Sequence, residues 1–352
     1  MTFRARFASR RARMIGVVAL ALTAACRESH KPPPAFEVFG ITDKFFDVDP
    51  LGEKVFLALG YGNKIVRTED AGQTWSVSAK APARRSLTRL TFVGEKGWGV
   101  GHGGNLVGTS DAGKTWTNLE SPTDVSLFDV DFVNDQRGFA VGDTSSLVRT
   151  DDGGKTWRAE KIAMSNIGVR EDMSLAIEDP IFYSVDFIDE NTGWVSGEFG
   201  QIRSTKDGGQ TWGAEHASLL GTKYRDIMSL PTIACLRMQD SQRGIGVGTY
   251  GTILTTIDGG QTWQFRESPV SVPLYDIAML PDGSSLLVGS SGIILRGTIE
   301  QGWSPAKVPD GVFTWISSIG VDPAGQAVAV GGHGLVLTSA DAGQNWALTL
   351  YQ

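Results

Sequence analysis

Cysteine is almost absent from this chain of 352 residues: Cys26 and Cys235 are the only two. With Cys26 at the edge of a leader, no disulfide framework can be built. Long apolar runs are missing as well. The stretch M-I-G-V-V-A-L-A-L-T-A-A (14–25) is too short to span a bilayer as a stable helix. Positive charge is in deficit, because Arg4, Arg6, Arg10, Arg11 and Arg13 all fall within the first 25 residues and no acid does. Without that segment Lys+Arg falls from 32 to 27 against 39 acids, a formal charge of −12. So acidic a body is a poor partner for nucleic acid, and none is expected. Metal ligands are sparse. His102 and His333 occupy matching G-H-G turns, but two histidines without a third ligand do not make a site. No metal and no cofactor is expected.

Residues 1–25 have the basic head and apolar run of a secretory signal, which is excluded from fold reasoning. The signal ends L-T-A-A-C (22–26), which resembles a bacterial lipobox, although Thr23 stands where that pattern prefers Leu. The resemblance implies lipidation at Cys26; ordinary cleavage beside an incidental cysteine is the alternative. The paired arginines of S-R-R-A-R-M (9–14) do not make a twin-arginine signal, since Arg13 stands where that signal wants an apolar residue. R-E-S-H-K-P-P-P-A (27–35) is polar and Pro-rich, an extended tether for the domain that follows, so residues 26–35 are assigned as linker. Among lipoproteins an Asp after the lipidated cysteine favours inner-membrane retention. Arg27 stands there instead, which leans towards the outer membrane.

What the chain has in excess is Gly, at 44 residues, and Trp, at 10. Many glycines between short apolar runs imply short strands and tight turns rather than helices. T-D-D-G-G-K-T-W (150–157) recurs at 68–75, 109–116, 205–212, 256–263 and 339–346, and in decayed form at G-T-I-E-Q-G-W (297–303). Trp75, Trp116, Trp157, Trp212, Trp263, Trp303 and Trp346 therefore close seven units, at spacings of 41, 41, 55, 51, 40 and 43. A period near 40 with four short strands per unit is the pattern of a β-propeller. The fold class is accordingly all-β: a single seven-bladed propeller of four-stranded antiparallel blades over residues 36–352. In each box the Asp accepts backbone N–H groups of its turn, the Gly supplies a conformation a Cβ would oppose, and the Trp plugs the gap to a neighbouring blade. A-F-E-V-F-G (35–40) and W-A-L-T-L-Y (346–351) both look like fourth strands, one more than seven blades need, so one of them should zip the ring.

The octapeptide is the Asp-box, or BNR repeat. The longer phrases G-W-G-V-G-H-G-G-N-L-V-G-T-S-D-A-G-K-T-W (97–116) and G-W-V-S-G-E-F-G-Q-I-R-S-T-K-D-G-G-Q-T-W (193–212) resemble the photosystem II stability/assembly factor family of lumenal seven-bladed propellers. The resemblance implies a non-catalytic scaffold that aids assembly or stability of a membrane complex.

Strand arithmetic divides the turns between two faces. Box turns share a face with the turns between strands one and two. The turns between strands two and three share the other face with the blade-to-blade links. Both long spacings fall in links, at 162–180 and 216–231, flanking one blade; they either bind or merely cover apolar surface. Arg84, Arg85, Tyr224, Arg225 and Tyr250 fall on this link face and suit an acidic or aromatic protein partner. On the inner strands the polar register forms two rings. One is Asp47, Arg89, Asp129, Ser184, Cys235, Asp276 and Ser318; the other is Asp49, Thr91, Asp131, Asp186, Arg237, Ala278 and Gly320. These groups either satisfy inner-strand backbone and one another or form a polar socket, with Arg89, Asp129, Asp131, Asp186 and Arg237 as its candidate binding residues. The opposing reading is an Asp-box glycosidase. The Arg-Ile-Pro start motif of sialidases is absent, there is no second propeller to make a xyloglucanase cleft, and glycosidase chemistry needs two opposed carboxylates at a set separation. The expectation is a monomeric, lipid-tethered, non-enzymatic protein.

Overall fold

The computed structural model describes residues 38–163, 165, 167–169, 179–221 and 223–349. Cys26, the leader and the tether lie outside the described residues. The chain forms the expected ring of seven antiparallel blades. The inner strands are Phe45–Gly52, Leu87–Val93, Leu127–Phe132, Phe182–Phe187, Ile233–Met238, Leu274–Met279 and Ile316–Val321. They begin blades 1 to 7 in chain order.

There is no single core. Seven apolar clusters lie one at each seam between adjacent blades, and each takes in the box tryptophan of the later blade. Trp157 of blade 3, for example, packs with Trp98, Val100 and Leu106 of blade 2. Burying an aromatic face at every seam ties each blade to the one before it.

The box supplies the turn that aims the indole. Asp152 Oδ1 accepts from the Thr156 N–H at 2.9 Å and Oδ2 from the Thr156 hydroxyl at 2.6 Å. Thr150 Oγ1 accepts from the Gly154 N–H at 2.9 Å, and the Trp157 indole N–H donates to Gly154 O at 3.1 Å. The Thr156 hydroxyl, then its backbone N–H, hold the Asp152 carboxyl down to about 2. Ala stands at the first of the two turn positions at 71, 112 and 342, although φ there is +57°. In the six intact boxes the second position is Gly, because a Cβ on Gly154 would lie 2.7 Å from Trp98 Nε1 and one on Gly260 2.2 Å from Trp194 Nε1.

Blade 4 departs from its siblings. Six sheets have four strands, whereas this one has three among the described residues. After Trp212 one ladder bond forms, from Gly213 N–H to Ser204 O at 2.7 Å. The Glu215 carboxylate then takes the place of the missing strand, accepting from the Ser204 N–H and hydroxyl at 2.7 Å each. Residues Glu215–Leu219 turn away as a 3-10 helix.

Among the described residues neither terminal segment zips the ring, which departs from the expectation. Blade 1 owns Ser76–Lys80 and blade 7 owns Ala347–Leu348 as fourth strands. Residues 38–40 are not in a ladder; Phe39 is buried edge-on against Phe45 and Trp75. The seam between blades 7 and 1 is held by apolar packing and by polar bonds. Gly334 N–H donates to Asp43 O at 2.7 Å, Lys54 N–H to Asp322 Oδ2 at 2.8 Å and Thr349 Oγ1 to Gly72 O at 2.9 Å.

The two faces sort as strand alternation requires. Box turns bond the strand one–two turns, as Gly153 N–H does Gln136 O. Links meet the strand two–three turns, as Ser126 Oγ does His102 Nδ1 at 3.2 Å. The described parts of both insertions lie on this link face and touch each other, with Ile227 N–H bonding Gly168 O at 3.0 Å and Leu230 packing over Gly200.

Candidate functional site

Both polar rings surround a central cavity of about 230 Å³. Asp49, Asp131, Asp186 and Arg237 line it together with Arg89, Asp129 and Asp276. Arg89 is the hub. Its guanidinium reaches Asp47 at 3.0 Å, Asp129 at 3.2 Å and Asp276 at 2.9 Å. Arg237 meets Asp129 at 3.4 Å and Ser184 Oγ at 3.0 Å.

These groups also clip blades together. Each acceptor in the first ring takes a backbone N–H from the next blade's inner strand: Asp47 from Leu90 (2.7 Å), Asp129 from Val185 (2.9 Å), Ser184 from Leu236 (3.2 Å), Asp276 from Ile319 (3.1 Å) and Ser318 from Val48 (3.3 Å). The second ring repeats the device, Asp131 accepting from Phe187 and Asp186 from Met238, both at 2.7 Å. A buried N–H left without a partner is costly, so every clip fixes one seam.

Burial sets the titration. It raises Asp47 against the pull of Arg89, and at Asp49 it is joined by the Asp47 charge. Burial and then the neighbouring Asp186 push Asp131 up to about 7. At Asp276 burial also opposes ionisation, but Arg89 and Arg237 together outweigh it and hold the carboxyl below its usual range. Cys235, buried in the same ring, is pushed up to about 12 by burial first and is an inert thiol.

On the link-face side of this network lies a third ring that strict alternation conceals. In every blade the inner strand is bulged one residue before the first ring. The extra residues are Phe46, Thr88, Phe128, Tyr183, Ala234, Tyr275 and Ser317. A bulge re-aims its residue, and all seven are at least partly exposed. Phe128 meets Tyr183 at 5.4 Å and His102 edge-on at 6.0 Å, and Phe46 stacks on Trp315 at 6.5 Å. The Tyr275 hydroxyl bonds Ser290 Oγ at 2.6 Å. The signal was present in the sequence. Apolar residues stand three apart, not two, at 45/48, 87/90, 127/130, 182/185, 233/236, 274/277 and 316/319.

The predicted link-face residues divide. Arg84, Arg85 and Arg225 are exposed. Tyr250 is 81% exposed, held outward by a left-handed backbone (φ +59°) that a bulky residue seldom adopts. Tyr224 does not project. It packs on Phe265 at 5.1 Å under the Lys223 ammonium and belongs to the seam between blades 4 and 5. Among the described residues no group of three His, Cys, Asp or Glu side chains is placed to hold a metal.

Residues 36–122 and 116–170 match the family described as photosynthesis system II assembly factor YCF48. The photosystem II assembly lipoprotein Ycf48 of Synechococcus sp. (strain RCC307) is 33% identical over 116 residues, 32% of this chain and 35% of that protein. Its counterpart from Prochlorococcus marinus (strain MIT 9313) is 27% identical over 169 residues, 47% of each chain. Over these stretches the chain is similar to the photosystem II assembly factors. The matched stretches span from about a third to about half of the length of these curated relatives. Among solved structures, YCF48 bound to D1 peptide superposes with a TM-score of 0.63 at 18% identity, covering 86% of this chain and 94% of that one. The GH74 xyloglucanase from Xanthomonas campestris gives 0.64 at 12% identity, over 89% of this chain and 55% of that one. At such identities both likenesses are of fold alone.

Proposed function

We propose that this propeller is a non-catalytic scaffold, exported and lipid-anchored through Cys26, that binds a segment of a membrane protein on its link face and aids assembly of that protein's complex. The absence of Asp after Cys26 is the reason to place it at the outer membrane, and a single propeller with every seam filled suits a monomer. The observation that carries the reading is the employment of the channel. Asp47, Asp129, Asp131, Asp186 and Asp276 each hold a backbone N–H of the next blade, and Arg89 and Arg237 bind the carboxylates, so this constellation serves the ring rather than a substrate. Recognition then passes to the bulge collar and to the exposed Arg84, Arg85, Arg225 and Tyr250 around it, with Arg89, Asp129, Asp131, Asp186 and Arg237 as the charged floor. The similarly folded YCF48, solved bound to D1 peptide, supports a peptide of this general kind.

Crosslinking capture from native membranes tests this. Wild type, Phe128→Ser with Tyr183→Ser, and a version lacking residues 165–178 are compared. Loss of the captured protein with the collar variant is expected, and an unchanged set would refute the rim as the docking surface. Glycan hydrolysis that disappears in Asp129→Asn or Asp186→Asn would establish the glycosidase instead.

A further inference from the structure

Across the link-face edge where blades 6, 7 and 1 meet, an apolar depression of about 390 Å³ is lined by Ile41, Val312, Phe313 and Leu348. Phe313 is 82% exposed, Ile41 62% and Leu348 42%. These three come from separate parts of the chain: the lead-in to blade 1, the link from blade 6 to blade 7, and the last strand. Scattered exposed apolar residues are ordinary, but three gathered round one depression mark an interaction surface. Its polar floor is already satisfied. Thr314 Oγ1 bonds His333 Nδ1 at 3.2 Å, Thr314 O accepts from Gly292 N–H at 2.6 Å, and Gly334 N–H donates to Asp43 O at 2.7 Å. Covering it with hydrocarbon would strand none of these groups.

The position of the depression selects what covers it. Ile41 lies three residues beyond Val38, where the described propeller begins. A chain of the length from Cys26 to Val38 can reach at most roughly 40 Å when fully extended, so a bilayer that held Cys26 would lie within that reach of this corner of the ring. Tyr61, 67% exposed in the strand two–three turn of blade 1, has its N–H bonded to Lys44 O at 2.8 Å, in the same lead-in as Ile41. Tyrosine suits the boundary between headgroups and water. The opposite face carries an exposed apolar residue of its own, Ile257 in a box turn, but no apolar lining residue of this depression belongs to that face.

We propose that the depression is a lipid-surface docking patch. Phe313 and Ile41 enter the boundary between headgroups and acyl chains, and the propeller is held with its link face towards the bilayer. The inference rests on the lipid-anchored reading of Cys26. It implies that the tether sets distance while the patch sets orientation, so that the collar and the insertions around blade 4 look onto the surface from which a membrane protein emerges.

Single-cysteine probes test it on the full chain, since Cys235 is buried and an acylated Cys26 cannot be labelled. Ile41→Cys, Phe313→Cys and Ile257→Cys are each labelled with an environment-sensitive fluorophore. Each is studied with vesicles of phosphatidylethanolamine and phosphatidylglycerol, with and without nitroxide-tailed lipid. Emission at 41 and 313 should shift to the blue and lose more than half its intensity to the nitroxide, and emission at 257 should not change. Unlabelled Phe313→Ser should leave vesicles about tenfold more readily than wild type in a test without any probe. Equal quenching at all three sites, no quenching at 41 and 313, or contact of 313 between two copies with no response to nitroxide lipid would each overturn the patch. The mass of the purified protein reports acylation separately. If Cys26 carries no lipid the anchor reading falls, and Phe313-dependent binding to added vesicles still decides the patch.

Discussion

Replacing Arg89 by Met tests whether the channel network holds the ring. The substitution removes one guanidinium that three carboxylates share, at 3.0, 3.2 and 2.9 Å from Asp47, Asp129 and Asp276. Those side chains are almost fully buried, so water cannot replace the lost cation. Removing one partner of a buried ion pair costs about 3–5 kcal/mol, because the other charge stays buried and uncompensated. Unfolding entropy is about 2 cal/mol/K per residue, so over a propeller of this size the same figure corresponds to a fall of about 5–8 °C in Tm. The loss should depend on pH in a definite sense. Burial disfavours the ionised form of Asp276, and Arg89, then Arg237, with help from the Ile319 N–H, bring it below its ordinary value. A carboxyl depressed in this way stabilises the fold above its unfolded value, near 4, and that contribution is lost as pH falls through the folded value. Without Arg89, burial prevails and Asp276 rises instead. The variant's deficit is therefore full at pH 8 and shrinks as the pH approaches 5. Thermal melts of wild type, Arg89→Met and Arg89→Lys at both pH values measure this, with Lys intermediate because a point charge cannot fork to three partners. A melt within 1–2 °C of wild type at pH 8, or a deficit equal at the two pH values, would refute the reasoning.

Asp131, raised to about 7 by burial and then Asp186, favours the folded state while protonated and loses that contribution as pH rises through about 7. Wild-type Tm should therefore climb on going from pH 8 to pH 5, and Asp131→Asn should flatten that slope. The box carboxyls act in the opposite sense. Asp111, Asp152, Asp207 and Asp341 lie at about 2 in the fold, the first three held chiefly by a threonine hydroxyl and then its backbone N–H, and Asp341 by the Asn345 backbone N–H and then its side-chain amide. Their contribution is intact above about pH 4 and disappears below it, where circular dichroism should show acid unfolding. Trp263→Ala should cost about 3–5 kcal/mol in urea titration. Trp212→Ala should cost clearly less, since that indole sits beside the missing strand and is already partly exposed. Gly260→Ala should destabilise far more than Gly259→Ala, whose new Cβ would meet nothing closer than Ser241 O at 3.1 Å in a turn position that Ala fills elsewhere.

The blades were legible because their signals are local and repeated. A box fixes its own turn, glycine and indole, and seven indoles at near-equal spacing can be counted. The two polar rings were legible too, because residues two apart on a strand share a face. Their use was not, since the partner of Asp129 is the N–H of Val185 in the next blade, which no spacing within one unit announces. The collar was missed through a wrong period. Strict alternation along the inner strand conceals it, whereas the interval of three from Phe45 to Val48 and from Leu127 to Val130 records a bulge. In blade 4 the segment G-A-E-H (213–216) stands where blade 3 has R-A-E-K (158–161), and nothing in that local difference tells that Glu215 would cap Ser204 by its side chain. Tyr224 was assigned to the rim by loop position alone; its packing on Phe265 depends on where the insertion folds back.

The seam between blades 7 and 1 connects these findings. A strand shared between first and last blades would latch the ring by a ladder of backbone bonds, and the described residues form none there. Its last seam must be held by the devices that hold the other six: an indole, an apolar cluster and side-chain clips such as Ser318 to Val48 N–H and Ser317 to Phe45 O. With no latch, opening at any one seam is resisted only by that seam, so polar groups on the inner strands are committed to closure. The carboxylates that look like a socket in the sequence are thereby tied to backbone. The side chains left to meet a partner or a bilayer are those on links and turns and the aromatic ones on bulges, such as Phe128 and Tyr183, whereas the bulge hydroxyls of Thr88 and Ser317 are spent on clips of their own.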